Sequence, residues 1–128
     1  MKNRIQTDQA PAAQGPYSQA IEINGWVLCS GQLGLDAASG KLVEGGIEAE
    51  TRRVLENIGA VLGAAGLGLN DVVSTTIYLI DLKDFETVNR IYGEHFATPY
   101  PARATIQAAA LPRGARIEIS VTACRSAR

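Results

Sequence analysis

A long stretch of helical periodicity, with strand-like sequence on both sides, sets the main constraint on the fold of this chain. Apolar or small residues recur there at intervals of three and four, the spacing of one helix face. They are Ile47, Thr51, Val54, Leu55, Ile58, Val61, Leu62 and Ala65. Gly66 follows at the position of a left-handed C-cap. We therefore expect an amphipathic helix that covers one face of a sheet.

Strand signals come before this helix. The segments "QAIEI" (19–23) and "WVLCSG" (26–31) flank Asn24-Gly25, a strong signal for a two-residue hairpin turn. A third short strand is predicted through "QLGLD" (32–36), ahead of a glycine-rich turn. The sheet is therefore expected to begin with a hairpin.

A strand and a second helix are predicted after the first helix. β-Branched residues are dense in 71–80, which favours a strand buried on at least one face. Asp84 is the predicted N-cap of the second helix, which Pro99 and Pro101 end. The inward side of this helix is expected to consist of Phe85, Val88, Tyr92 and Phe96.

Two last strands are predicted at about 102–109 and 115–124, on either side of a turn at 111–114. We interpret them as a hairpin centred on Arg113, in which residue 107 lies about opposite residue 118. The whole order of elements predicts an α+β fold, a single mixed β-sheet with two helices packed on one face. A chain of 128 residues has the length of one domain, residues 1–128. The second sheet face must be wet or covered by another chain.

Side-chain alternation assigns the residues of these last two strands to the two faces of the sheet. The apolar face is expected to hold Ile106, Ile117, Ile119, Val121 and Ala123. The polar face is expected to hold Arg103, Thr105, Gln107, Arg116, Glu118, Ser120 and Thr122. Arg103 and Glu118 are therefore predicted to share the helix-free face.

Composition and charge argue against several classes of partner and site. The net charge is −1 and the pI about 5.8, with no run of Lys and Arg, so nucleic acid and anionic membranes are not expected partners. The N-terminus lacks a signal-peptide core, and a cytoplasmic location is the default expectation. Cys29 is interpreted as a core residue, and it and Cys124 are expected to be reduced thiols. His95 has no cluster of metal ligands around it, so no metal site is expected.

Five short motifs, in this order and spacing, resemble those of the Rid family, the reactive intermediate (enamine/imine) deaminases also called the YjgF family. They are "GPYSQA" (15–20), "SGQ" (30–32), "TVNRIY" (87–92), "PAR" (101–103) and "LPRGARIEI" (111–119). The resemblance covers almost the whole chain and implies a chorismate-mutase-like homotrimer with sites at subunit interfaces. It also implies cofactor-independent hydrolysis of 2-imino acids, such as the tautomer of 2-aminoacrylate, to 2-oxo acids and ammonia.

The resemblance implies catalytic roles for Arg103 and Glu118. Arg103 would bind the substrate carboxylate, which suits the paired donors of a guanidinium; an interchain salt bridge is the alternative. Glu118 would hold the reacting water or shuttle a proton; the alternative is a solvated carboxylate paired with Arg116 or Arg103. In the hairpin register Arg103 lies roughly 13 Å along the strand from Glu118. A neighbouring subunit is therefore expected to supply part of the site.

Five further positions are implied to bind substrate: Tyr17, Ser30, Gly31, Asn89 and Thr105. Each except Thr105 also has an ordinary structural interpretation. Tyr17 could pack a loop, Ser30 could satisfy a strand end, and Gly31 could form a bulge or bend. Asn89 could bond a loop that shapes the pocket. Thr105 stands where many family members have Cys, a departure that bears on substrate range.

Other functions remain open beside the imine deaminase. One is a regulatory module that binds a small ligand in the same cleft without turnover, and another is a deaminase for a different imine of a catabolic pathway. The family was once described as translation inhibitors or endoribonucleases. RNA cleavage would need a basic groove and stacking aromatics, and a chain with 5% aromatic residues and a net charge of −1 offers little of either.

Overall fold

Six strands form one sheet in the order β1-β2-β3-β6-β4-β5, and two helices pack on one of its faces. The structure is a computed structural model and describes residues 1–126. The strands are β1 (Asn3–Ile5), β2 (Ala20–Ile23), β3 (Trp26–Leu33), β4 (Val72–Leu79), β5 (Ala102–Gln107) and β6 (Ile117–Cys124). The helices are α1 (Gly46–Ala64) and α2 (Phe85–His95), with 3-10 turns at Leu69–Asp71, Leu82–Asp84 and Pro112–Gly114. The α+β class and the single mixed sheet are confirmed.

The sheet is mixed because β5 runs parallel to its neighbour β4, whereas all other pairs are antiparallel. The crossover from β4 through α2 returns the chain to the edge of the sheet, as a parallel pair requires. The segment 108–116 then carries the chain past β4, and β6 inserts between β3 and β4. The predicted hairpin of the last two strands is therefore wrong, and so is its register.

The parallel pairing also changes which face β5 presents to the helices. Arg103 lies opposite Thr75, and Thr105 lies opposite Ile77. Because Thr75 and Ile77 are buried beneath the helices, Arg103 and Thr105 point to the helix-covered side. Ile106 lies opposite Tyr78 on the other face and is 47% exposed.

Four predictions of facing are therefore wrong. Ile106 is not on the apolar face. The other three residues do not share the face of Glu118; they are Arg103, Thr105 and Gln107, the last of which lies opposite the buried Leu79. The error came from carrying the alternation of β6 across a hairpin that does not exist. The alternation of β6 itself is confirmed, since its inward residues are all buried. They are Ile117, Ile119, Val121 and Ala123.

The first hairpin is confirmed, with positive φ at both turn residues, 52° at Asn24 and 82° at Gly25. The separate third strand is wrong, because 32–33 are the end of β3 and Leu35 forms only an isolated bridge with Leu42. The sequence did not predict β1, which pairs with β2 at the sheet edge.

Both helices place an apolar side on the sheet. For α2 the prediction holds in part, since Val88, Tyr92 and Phe96 are buried. Phe85 is 38% exposed and so is not an inward residue, whereas Ile91, which was not predicted, is buried. The stripe of α1 is buried at Val54, Leu55, Ile58, Val61 and Leu62. Gly66 has a φ of 75°, as a left-handed cap requires. Asp84 is the N-cap residue of α2, as predicted, but its side chain makes no capping hydrogen bond. Asp81 accepts a hydrogen bond from the Lys83 amide at 2.9 Å in the turn just before it.

Within residues 1–126 no helix covers the second face of the sheet, which exposes several large apolar side chains. They are Ile23, Trp26, Leu28 and Ile106. No helix among residues 1–126 has the length and apolar character needed to cross a bilayer. We call the surface formed by these four side chains the open face.

Candidate functional site

Six of the seven residues predicted to form one site line two separate cavities, and the seventh, Thr105, lines neither. One cavity, of about 410 Å³, is lined by Tyr17, Ser30, Gly31 and Glu118, and we call it the glutamate pocket. The other, of about 320 Å³, is lined by Asn89 and Arg103 with Tyr92 and Tyr100, and we call it the arginine pocket.

The two pockets are too far apart to hold one small molecule within a single chain. Glu118 lies opposite Tyr78 of β4, whereas Arg103 lies opposite Thr75 on the other side of that strand. Two strand spacings and three residues separate their Cα atoms by roughly 14 Å. Their side chains also point to opposite faces of the sheet, so a second chain must bring the two kinds of pocket together for both to touch one ligand.

The glutamate pocket is built around a bulge in β3. The pairing with β6 passes from Cys29–Val121 to Gln32–Ile119, so β3 carries one residue more than its partner over this stretch. Bulges bend a strand and re-aim its side chains. Ser30 and Gly31 both lie in this irregularity, and the bulge proposed as one interpretation of Gly31 is present.

Gly31 lies directly against the carboxylate of Glu118. A Cβ built at Gly31 would overlap Oε2 of Glu118, so an L side chain there requires the carboxylate to move. The Glu118 side chain of the same pocket therefore occupies the space that a Cβ at Gly31 would need.

Hydrogen bonds attach the N-terminal loop to the bulge. The Ser30 hydroxyl donates to the Ser18 carbonyl at 2.6 Å, and the Ser30 amide donates to the Gln19 carbonyl at 2.9 Å. Tyr17 is more than half exposed, and its hydroxyl accepts from the Gln14 amide at 3.2 Å. These bonds place the Tyr17 ring at the mouth of the glutamate pocket.

Gln19 organises this loop, a role that the sequence reasoning missed. It is 4% exposed, and its side-chain amide donates to the carbonyls of Thr7 and Pro11 while its oxygen accepts from the Thr7 amide. The only sequence signal for this role was a polar residue at the start of the first predicted strand. Nothing in the sequence indicated that its hydrogen-bond partners would be Thr7 and Pro11.

Glu118 is half-buried, and burial raises the pKa of its carboxyl above the ordinary value of 4.5. Neither arginine suggested as its partner pairs with it. Arg116 donates through Nη1 to Glu50 at 2.6 Å, and Arg103 lies on the other face. A half-buried carboxyl with a raised pKa is a stronger base when it is ionised, which suits it to accept and return a proton.

Glu50 is a second buried residue that the sequence reasoning missed. It is 0% exposed and accepts two hydrogen bonds from Arg116, from the amide at 2.8 Å and from Nη1 at 2.6 Å. These bonds fix the start of β6, two residues before Glu118. The signal was available: Glu50 is a charged residue on the apolar stripe of α1, three positions after Ile47.

The guanidinium of the arginine pocket lies over two aromatic rings of α2. The Cζ of Arg103 lies 5.5 Å from the ring centroid of Phe85 and 4.9 Å from that of Tyr92. No carboxylate of residues 1–126 lies within ion-pair distance of it. Its N–H donors are therefore available to an anionic ligand.

Thr105 carries a buried hydroxyl oxygen with no hydrogen-bond partner in the described part of the chain. It lies two residues after Arg103 on the same side of β5. Buried polar atoms are nearly always paired in proteins. The hydroxyl is thus a group that a ligand beside Arg103 could satisfy.

Neither cysteine chemistry nor a metal cluster adds to these pockets in the described chain. Cys29 belongs to the core, as predicted, and burial raises the pKa of its thiol to about 12. Across residues 1–126 no group of three or more His, Cys, Asp and Glu is arranged to hold a metal ion.

Comparison with known proteins places this chain among close relatives. The family profile described as Endoribonuclease L-PSP matches residues 7–125. A Mus musculus protein named 2-iminobutanoate/2-iminopropanoate deaminase is 52% identical over 119 residues, 93% of this chain and 88% of that protein. The crystal structure of RidA from an Antarctic Psychrobacter has a TM-score of 0.92 at 47% identity, covering 95% of this chain and 98% of that one. For the YjgF gene product of E. coli the TM-score is 0.89 at 38% identity, with 97% and 99% covered.

Proposed function

Because this chain belongs to the Rid family, whose profile carries the name Endoribonuclease L-PSP, we propose that it is a 2-iminobutanoate/2-iminopropanoate deaminase. It hydrolyses reactive 2-imino acids, including the tautomer of 2-aminoacrylate, to 2-oxo acids and ammonia. The observation that carries the proposal is the unpaired guanidinium of Arg103, a ready partner for a carboxylate, together with the half-buried carboxyl of Glu118.

The active unit is a homotrimer in which the arginine pocket of one chain faces the glutamate pocket of the next. Two features support this assembly. The pockets lie on opposite faces of the sheet, so each is incomplete alone. The open face exposes apolar side chains of a kind that subunit interfaces bury. The chorismate-mutase-like arrangement closes three such contacts in a ring.

The site residues divide the work of binding and proton transfer. Arg103 holds the substrate carboxylate through two N–H donors, and the Thr105 hydroxyl completes its hydrogen bonding with the same ligand. Asn89 lines the arginine pocket. Tyr17 forms a wall across the interface, with Ser30 and Gly31 at the base of the glutamate pocket.

In the reaction, Glu118 takes a proton from a water whose oxygen bonds to the imine carbon. The C=N electron pair moves to nitrogen, which receives that proton and gives a carbinolamine. Glu118 then takes the hydroxyl proton and passes it to the amino nitrogen, the C–N bond breaks with its electron pair leaving on nitrogen, ammonia departs, and the oxygen forms the C=O bond of the 2-oxo acid. The C=N bond is itself electrophilic, and positioning of the two reactants supplies the modest acceleration that is needed without a cofactor.

A coupled assay tests the proposed function. A threonine dehydratase generates the imine in place, and imine decay and ammonia release are followed with and without this protein. We expect wild type to accelerate decay and Arg103→Ala to lose most of that acceleration. If wild type and Arg103→Ala both leave the decay at the rate without protein, the deaminase assignment fails. Binding of 2-oxobutanoate without any acceleration would favour the ligand-binding regulatory module instead.

A further inference from the structure

Arg103 is held differently from the arginines that stabilise the surface of this protein. Arg52, Arg90, Arg116 and Arg125 each form an ion pair with a glutamate. Arg103 has no such pair in the described chain and lies over two aromatic rings instead. A glutamate partner would occupy the N–H donors that a substrate carboxylate needs. Ring faces attract the cation without accepting its N–H groups in that way.

Helix α2 supplies both rings from one side. Phe85 and Tyr92 are two helical turns apart, so they lie on the same face of α2. That face looks onto β5, where Arg103 is the second residue of the strand. The two rings therefore restrict movement of the guanidinium parallel to the axis of α2.

The ring of Tyr92 is itself anchored to the sheet. Its hydroxyl is hydrogen-bonded to Oγ1 of Thr75 at 2.9 Å, and both residues are buried. Thr75 lies directly opposite Arg103 in the parallel pair of β4 and β5. The positions of the Tyr92 ring and of the guanidinium are therefore both fixed relative to β4 and β5. Tyr92 also stacks on Phe96, with centroids 4.3 Å apart.

We propose that Phe85 and Tyr92 are positioning residues that hold the Arg103 guanidinium oriented for a substrate carboxylate. The inference rests on the proposed function, because it needs Arg103 to bind an anion. Without the rings, the long exposed side chain of Arg103 samples many rotamers and binds a carboxylate less tightly. Loss of one ring raises the KM for the imine and the Kd for a 2-oxo acid by about tenfold, while kcat changes much less.

The test measures binding of 2-oxobutanoate by NMR titration, which reaches millimolar Kd, alongside KM and kcat for the imine. Phe85→Leu removes one ring, and Phe85→Trp restores an aromatic face at the same position. Tyr92→Phe keeps the ring and loses only the bond to Thr75. We expect about tenfold weaker binding for Phe85→Leu, a smaller loss for Tyr92→Phe because its ring is no longer anchored to Thr75, and binding within about twofold of wild type for Phe85→Trp. Phe85 is 38% exposed, so its truncation leaves the fold intact, which a thermal melt verifies.

A double-mutant cycle isolates the route through Arg103. In an Arg103→Ala background, Phe85→Leu is expected to have no further effect on the Kd. Wild-type binding by Phe85→Leu, or an undiminished effect of this substitution in the Arg103→Ala background, overturns the proposal. If imine hydrolysis is absent but 2-oxobutanoate binds through Arg103 with the expected variant pattern, the deaminase fails and the positioning role stands. If wild type does not bind 2-oxobutanoate, the carboxylate role of Arg103 and the role of the rings both fail.

Discussion

Gly31 and Gly34 lie close together in the chain, yet they limit different properties of the protein. At Gly31 an added Cβ would meet the end of a flexible side chain, the carboxylate of Glu118. At Gly34 it would meet backbone atoms of Glu50, 2.8 Å from Cα and 2.9 Å from the carbonyl oxygen. A side-chain end can swing away, whereas helix α1 cannot shift without disturbing the core.

The first prediction compares alanine at these two glycines. Gly31→Ala is expected to lower imine hydrolysis by more than about tenfold, because it displaces the proposed base, while it changes the free energy of unfolding by less than about 1 kcal/mol. Gly34→Ala is expected to lower the free energy of unfolding by about 1–3 kcal/mol through overpacking. Steady-state kinetics and urea denaturation measure the two effects. If Gly31→Ala kept wild-type activity, Glu118 would not be the base of the reaction.

The second prediction concerns the pH dependence of hydrolysis. Glu118 acts as a base only when ionised, so activity falls as pH decreases through its pKa. Because burial raises this pKa, the acid limb of the kcat/KM profile is expected above pH 4.5, the ordinary carboxyl value. The limb is expected to vanish in Glu118→Gln along with most of the activity. An acid limb that persists in Glu118→Gln would belong to another group.

At the level of elements, a buried ion pair connects α1 to the start of β6. Glu50 is fully buried, whereas the side chain of its partner Arg116 is 53% exposed. The two ends of the pair are therefore unequal: only the carboxylate depends on its partner for charge compensation. Removal of the Arg116 guanidinium leaves the buried Glu50 carboxylate without a counter-ion, whereas removal of the carboxylate leaves a cation that water can solvate.

The third prediction follows from this inequality. Arg116→Ala is expected to lower the free energy of unfolding by about 3–5 kcal/mol. Glu50→Gln keeps an acceptor for the Arg116 amide and is expected to cost only about 1–3 kcal/mol. Guanidinium chloride denaturation measures both values. If both substitutions lowered the free energy of unfolding equally, the ion pair would not be stabilising the protein by compensating the buried charge of Glu50.

The elements also show what could be predicted from sequence and what could not. The Asn24-Gly25 hairpin and the stripe of α1 were predictable because their signals are local. The neighbours of β5 and β6 were not, since alternation identifies a strand without specifying which strand it pairs with. That single ambiguity moved Arg103 and Ile106 to the wrong faces. Glu50 and Gln19 were missed because their partners are distant in the chain.

At the level of the whole molecule, the candidate site is divided between two faces of each chain. The motifs identified Arg103 and Glu118, and the separation estimated from a mistaken register was close to that in the structure. What the sequence could not give was the division into an arginine pocket and a glutamate pocket. This division depends on the position of β4 between β5 and β6.

The fourth prediction uses the division as a test of assembly. Arg103→Ala and Glu118→Ala chains are each expected to be inactive alone. When the two are co-expressed, an interface is intact wherever the arginine pocket of a Glu118→Ala chain meets the glutamate pocket of an Arg103→Ala chain. Random mixing in a ring makes about a quarter of the interfaces intact, so about a quarter of wild-type activity is expected. No activity in the isolated mixed assembly would mean that both residues act within one chain.

The bulge of β3 has a consequence for how this sheet tolerates changes in length. Cys29 before it and Gln32 after it both face the helices, so the extra residue leaves the inward and outward order of the strand undisturbed. A chain shortened by one residue here would still pair β3 with β6 in register on both sides. The sheet would remain complete, and only the close contact between Gly31 and Glu118 would be lost. The pairing of β3 with β6 on either side therefore does not depend on the bulge that shapes the glutamate pocket.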